Sequence, residues 1–92
     1  MELFKFTGVI LSEPKGYSAL CPELEVASAG QTIEEARSML LEAATRYLEG
    51  AIEDSLPYLR PVPAAQDPRN VSPDDVVDIF RFAVDVAVTV HV

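Results

Sequence analysis

The chain has few of the residues that build most active-site chemistry. It has one cysteine, Cys21, and one histidine, His91. A single thiol excludes an intramolecular disulfide framework. One thiol and one imidazole together leave too few ligands for a thiolate or imidazole metal site. Bases are scarce as well: seven Lys and Arg stand against 15 Asp and Glu, a net charge of −8. Phosphate binding needs clustered cations, so direct DNA binding is not expected and a basic partner is. No apolar run approaches the ~18 residues of a membrane span. No charged leader precedes an apolar stretch with a cleavage site, so the expected location is cytoplasmic. The four glycines form no phosphate-cradling loop, and no cofactor is expected.

What is present fits one small domain. The 92 residues leave no room for a second core, and 49% apolar with 24% charged is ordinary globular composition. Residues 3–11 alternate as a strand, with Phe4, Phe6 and Ile10 on one face and Gly8 as a gap in it. Pro14 and Gly16 supply a turn, the glycine being free to take positive φ. Residues 17–21 then return as a second strand, stopped by Pro22. A short third strand is expected over residues 25–29, ending at Gly30. Together these make an antiparallel meander.

The apolar period then changes from 2 to 3.6. Ile33, Ala36, Leu40, Ala43, Ala44, Tyr47, Leu48, Ala51 and Ile52 form one helical stripe. Thr32 and Glu35 have the spacing of a capping box, and two early glutamates suit the positive end of the dipole. The helix is expected to end within residues 54–56, before Pro57. Residues 57–73 carry five prolines and read as a stiff, extended connector. Ser72, Pro73, Asp74 and Asp75 have the order that opens a helical turn.

Residues 80–90 show the cleanest alternation. Phe80, Phe82, Val84, Val86, Val88 and Val90 point one way, and Arg81, Ala83, Asp85, Ala87, Thr89 and His91 the other. At the strand rise this segment spans ~36 Å, more than a short meander is expected to pair. The expected class is α+β: a three-stranded antiparallel meander, one long helix on one face, and a fourth, C-terminal strand. A right-handed crossover places that strand beside the first and parallel to it, in the order 3-2-1-4.

Two stretches carry a resemblance to a known family. Residues 16–24 read Gly-Tyr-Ser-Ala-Leu-Cys-Pro-Glu-Leu, and residues 29–36 read Ala-Gly-Gln-Thr-Ile-Glu-Glu-Ala. They resemble the HicB antitoxin family, which shows a Gly-Tyr-apolar strand, a Pro-Glu-Leu turn and a Gly-x-Thr-x-Glu-Glu-Ala helix start. The likeness covers residues 4–55. It implies a partial RNase H-like fold and neutralisation of a small, basic, RNA-cleaving HicA-like toxin. Many such proteins add a DNA-binding segment after this domain. Here only one strand and no basic recognition helix follow the connector.

A nuclease outline needs several carboxylates converging on two metals. Residues 4–11 contain none, Glu2 lies outside the expected strand, and Asp85 with Glu34 or Glu35 does not complete a set. The expectation is therefore a non-catalytic chain. Cys21 reads as a small core residue, and His91 as a terminal residue rather than its base. Tyr17, Tyr47 and Tyr58 lack interleaved bases and do not form an RNA-stacking patch.

Two interaction surfaces are expected instead. The acidic helix face, including Glu42, Glu49 and Glu53, complements a basic toxin. The last strand, a long apolar edge, is expected to build a homodimer or higher homo-oligomer through Phe80, Phe82, Val84, Val86 and Val88, with Arg81 and Asp85 setting register. The alternative function is a homo-oligomeric ligand-binding or regulatory domain with no toxin partner. A degenerate nuclease is the third class.

Overall fold

The structure, a computed structural model, describes residues 2–86. Three strands, β1 (Glu2–Glu13), β2 (Gly16–Cys21) and β3 (Val26–Gly30), precede helix α1 (Ile33–Glu53). A short helix α2 (Pro68–Val71) and strand β4 (Val76–Val86) follow. The four strands make one sheet in the order β3-β2-β1-β4, with every neighbouring pair antiparallel. The class and strand order are those the sequence implies.

Gly16 makes the β1–β2 turn at φ 146°, a conformation open to glycine. Val9 faces Leu20 and Leu20 faces Ala27, so the register is continuous across the meander. Phe6 and Ile10 on β1 join Ala19, Cys21, Leu24 and the buried helix residues Ala36, Leu40, Ala44 and Leu48 in one core. The apolar stripe of α1 is thus the face that packs on the sheet. Its N-cap is Thr32, whose Oγ1 accepts the Glu35 N–H at 3.0 Å. Glu35 reaches back to the N–H of Gln31 at 3.1 Å, one residue before the cap itself. The helix ends at Glu53 with Asp54 as its C-cap, and Ser55 at φ 56° turns the chain away.

Three expectations need correcting. First, β4 is antiparallel to β1, not parallel. The handedness rule governs crossovers between parallel strands, and β3 and β4 run in opposite directions. The connector first runs along the β2–β3 turn, where the N–H groups of Arg60 and Val62 donate to the carbonyls of Glu23 and Pro22 at 2.9 and 2.8 Å. It then continues through two 3₁₀ turns (Ala64–Gln66 and Pro73–Asp75) and α2 to the opposite end of the sheet. There Val76 pairs with Leu11, and β4 runs back down. Second, β4 begins at Val76, four residues before the alternation becomes clear, with an irregularity opposite Ile10 and Leu11. Third, β1 includes Glu2 and is itself long enough to pair β4 from Leu11 to Glu2. The part of the expected strand beyond Val86 lies outside the described residues.

The connector is also less extended than its prolines suggest. Asp67 caps α2 by accepting the Arg69 N–H at 2.9 Å, with Pro68 in the first helical turn. Tyr58 packs edge-on to Phe4 with ring centroids 5.3 Å apart, and its carbonyl accepts the Tyr47 hydroxyl at 3.1 Å. These contacts fasten the connector to the lower end of α1 and β1. Thr7 and Val9, which alternate away from the α1 core, are buried too, so the far face of the sheet is closed at its centre.

Candidate functional site

The solvent side of α1 displays Glu42, Glu49 and Glu53, all exposed. Their spacing of seven and four residues puts them along one side of the helix. The two cations on the helix are engaged. Arg46 pairs with Glu42 at 2.6 Å, one turn away, and Arg37 reaches across to Asp78 on β4 while stacking over the Phe80 ring. Exposed pairs of this kind add little stability, but they decide which charges stay unbalanced. Among the described residues, Glu49 and Glu53 form no ion pair.

The residues expected at an oligomer interface divide between two faces. Phe82 and Val84 join the core beneath α1, with Val84 only 3% exposed, and Phe80 is half-buried beside them. The apolar face of β4 is therefore covered in good part by the chain's own helix, which the alternation alone does not reveal. Arg81 is exposed. Asp85 and Val86 lie in β4 opposite Leu3 and Glu2, and Val88 and His91 fall outside the described residues.

One carboxylate that periodicity gives no reason to single out holds three parts of the fold together. β2 stops at Cys21, leaving the Thr7 N–H without a strand partner. Glu23 takes its place: one oxygen accepts that N–H at 3.0 Å, and the other accepts the Thr7 hydroxyl at 2.8 Å. The Glu23 carbonyl meanwhile receives the connector at Arg60. Thr7 is buried, so the pairing satisfies a backbone donor that water does not reach easily. The Pro-Glu-Leu turn is thus a structural tie.

Cys21 sits beside that tie with its Sγ 3.7 Å from a Glu23 oxygen. Burial foremost, and the neighbouring carboxylate charge second, push its pKa up from 9.0 to about 12. A thiol held protonated is a poor nucleophile. Because the fold keeps the proton that the unfolded chain begins to lose near pH 9, the stability from this site is complete below that pH. It then declines as pH rises toward 12. Denaturant midpoints should fall across this alkaline window in the wild type by more than in Cys21→Ala. Equal slopes would show that the thiol is not the group responsible. Iodoacetamide should label the native thiol far more slowly than the unfolded one.

Asp67 and Arg69 form the remaining polar cluster. Hydrogen bonds from Arg69 hold the Asp67 carboxyl below its usual range. That carboxylate is occupied with capping α2 and binding the guanidinium. A shallow, open depression of about 550 Å³ lies between the β1–β2 turn and the start of α1, lined by Glu13, Lys15, Tyr17, Gly30, Gln31 and Glu35. Glu13 and Glu35 there are engaged with Ser18 and the Gln31 N–H. Among the described residues, no group of three or more His, Cys, Asp and Glu side chains is placed to hold a metal ion. No helix among them is long and apolar enough to cross a membrane.

Fold and surface together define a two-layer α+β domain with unpaired carboxylates on the exposed face of its helix. No protein-family model, curated protein or solved structure matches the chain.

Proposed function

We propose that this chain is a non-catalytic HicB-like antitoxin, acting in the cytoplasm by binding and neutralising a small, basic, RNA-cleaving HicA-like toxin. The observation that carries the reading is the helix face: Glu49 and Glu53 stand exposed without a cation among the described residues, in line with Glu42. Such a row attracts a basic surface, speeds encounter and penalises acidic partners. The motif residues fit a scaffold role. Pro22 to Leu24 turn and tie the sheet, and Gly30 and Thr32 set α1 on it. The buried, protonated thiol and the occupied Asp67 carboxylate are structural groups, in keeping with a protein that acts by covering another.

The test is inhibition of RNA cleavage by a purified HicA-like toxin, with association followed at several salt concentrations. Wild type should inhibit, and its association rate should fall as salt rises. Glu42→Lys with Glu49→Lys and Glu53→Lys should slow association by about 10- to 100-fold while leaving the fold intact. A toxin that stays active with excess wild type removes the reading. Unchanged association by the triple variant removes the assignment of the helix face.

A further inference from the structure

We infer that the C-terminal end of α1 and the start of the connector form the seat that holds the toxin. Leu56 and Leu59 are its apolar anchor, and Glu49, Glu53 and Asp54 form an acidic border that receives lysine or arginine side chains. The inference rests on the antitoxin reading and names the residues that keep the partner once it has arrived.

Leu56 and Leu59, at 59% and 60%, are the most exposed large apolar side chains among the described residues. They do not sit on a loose loop. The Leu56 N–H donates to the Ala51 carbonyl at 2.8 Å, which holds it against the last turn of α1. Both neighbours of Leu59 are fixed as well. The Tyr58 carbonyl accepts the Tyr47 hydroxyl, and the Arg60 N–H donates to the Glu23 carbonyl. The Arg60 guanidinium lies over the Tyr47 ring, 5.6 Å from its centre. Pro57 and Pro61 stiffen the same stretch. Side chains held ready in this way lose little freedom on binding.

The charges around the two leucines are not met within the chain. A helix is partly negative at its C-terminus and is stabilised there by cations. The last turn of α1 has no basic residue, and the helix closes on Glu49, Glu53 and the C-cap Asp54, all exposed. Glu49 and Glu53, one turn apart, also repel each other. Arg60 forms no ion pair among the described residues. Gly50 lies in the same stretch, exposed, inside a helix where only proline is a poorer choice. A Cβ there would meet nothing within 4 Å, so no contact inside the chain asks for glycine. Bare helix backbone beside two exposed leucines lets another chain approach closely.

These charges select the occupant. A second copy sets its own acids against this border, and the phosphates of nucleic acid or of an anionic membrane are repelled in the same way. A basic protein relieves the repulsion and the frustrated helix end together. An apolar centre with a charged rim is also the usual anatomy of a protein interface.

Association and dissociation rates of a purified HicA-like toxin on the immobilised full chain test this, with circular dichroism to confirm folding. Leu56→Ser with Leu59→Ser should speed dissociation at least ~10-fold and leave the association rate and its salt dependence as in wild type. That pattern is the reverse of the one expected when the acidic row is changed to lysine. Gly50→Gln should raise the thermal midpoint, because the helix gains, yet speed toxin dissociation about 10-fold. It serves as the binding test if the serine variant fails to fold. Val71→Ser, at a position 56% exposed on α2, should leave both rates unchanged. Unchanged dissociation in the leucine variant, or an equal effect of Val71→Ser, overturns the seat while wild type still inhibits the toxin and the antitoxin reading stands. A chain that sediments as a dimer until the leucines are changed carries its own copy on this surface, which also overturns the seat. A wild type that binds no toxin removes the antitoxin reading and the seat with it.

Discussion

Glu23→Ala should lower the stability of the domain by about 3 kcal/mol. Two charge-assisted hydrogen bonds to Thr7 are lost, each worth about 1.5 kcal/mol or more, and a buried backbone N–H is left without an acceptor. For a domain of this size that is a large share of the ~5–15 kcal/mol typically available. Glu23→Gln keeps an oxygen for the N–H and an amide able to meet the Thr7 hydroxyl, so it should recover most of the loss. Urea unfolding measures both, as a shifted midpoint at constant slope. An alanine variant within ~0.5 kcal/mol of wild type would mean that water replaces the carboxylate, and the tie would not be structural.

Gly30→Ala should cost a similar amount, near the upper end of the ~1–3 kcal/mol range for overpacking. A Cβ at Gly30 would lie 2.4 Å from the Ala36 backbone nitrogen, so α1 itself must lift from β3. Gly8 makes the instructive comparison. A Cβ there would meet the Phe80 ring at 2.2 Å, but a ring can swing aside where helix backbone cannot. Gly8→Ala should therefore be the milder change, with its damage confined to the Phe80 and Phe82 pair. Thermal midpoints of the two variants provide the ranking. If Gly8→Ala is the worse of the two, ring packing rather than helix approach limits this core.

Elements with a period are legible in the order of the amino acids. The β1–β2–β3 alternation, the α1 stripe and the Thr32 cap each repeat or pair at fixed spacing, and the β3-β2-β1 part of the strand order follows from them. The direction of β4 is not legible in that way, because it depends on where the connector delivers the chain. That is set by single contacts of Arg60, Val62 and Tyr58 with the rest of the fold. The prolines of the connector indicate stiffness but not path. Glu23 reads only as a turn residue, since a lone carboxylate has no sequence signal for a partner 16 positions away. The acidic helix residues stand out because a helix exposes what its apolar stripe leaves out. The covering of Phe82 and Val84 does not, because alternation tells which side chains share a face and not what lies over it.

The antiparallel run of β4 also bears on how the chain reaches its native state. The β1–β2 and β2–β3 ladders join neighbours in sequence, and α1 begins three residues after β3 ends. By contrast, the nearest rung of the β1–β4 ladder, Leu11 to Val76, already encloses the rest of the meander, the helix and the whole connector. Its loop-closure entropy must be met before any of its hydrogen bonds repay it. High contact order is thus concentrated in one strand. On these separations the meander and helix are expected to collapse early, with β4 docking last. Until it docks, β1 shows an unpaired edge along its full length, and that interval is when the nascent chain is most exposed to misassembly.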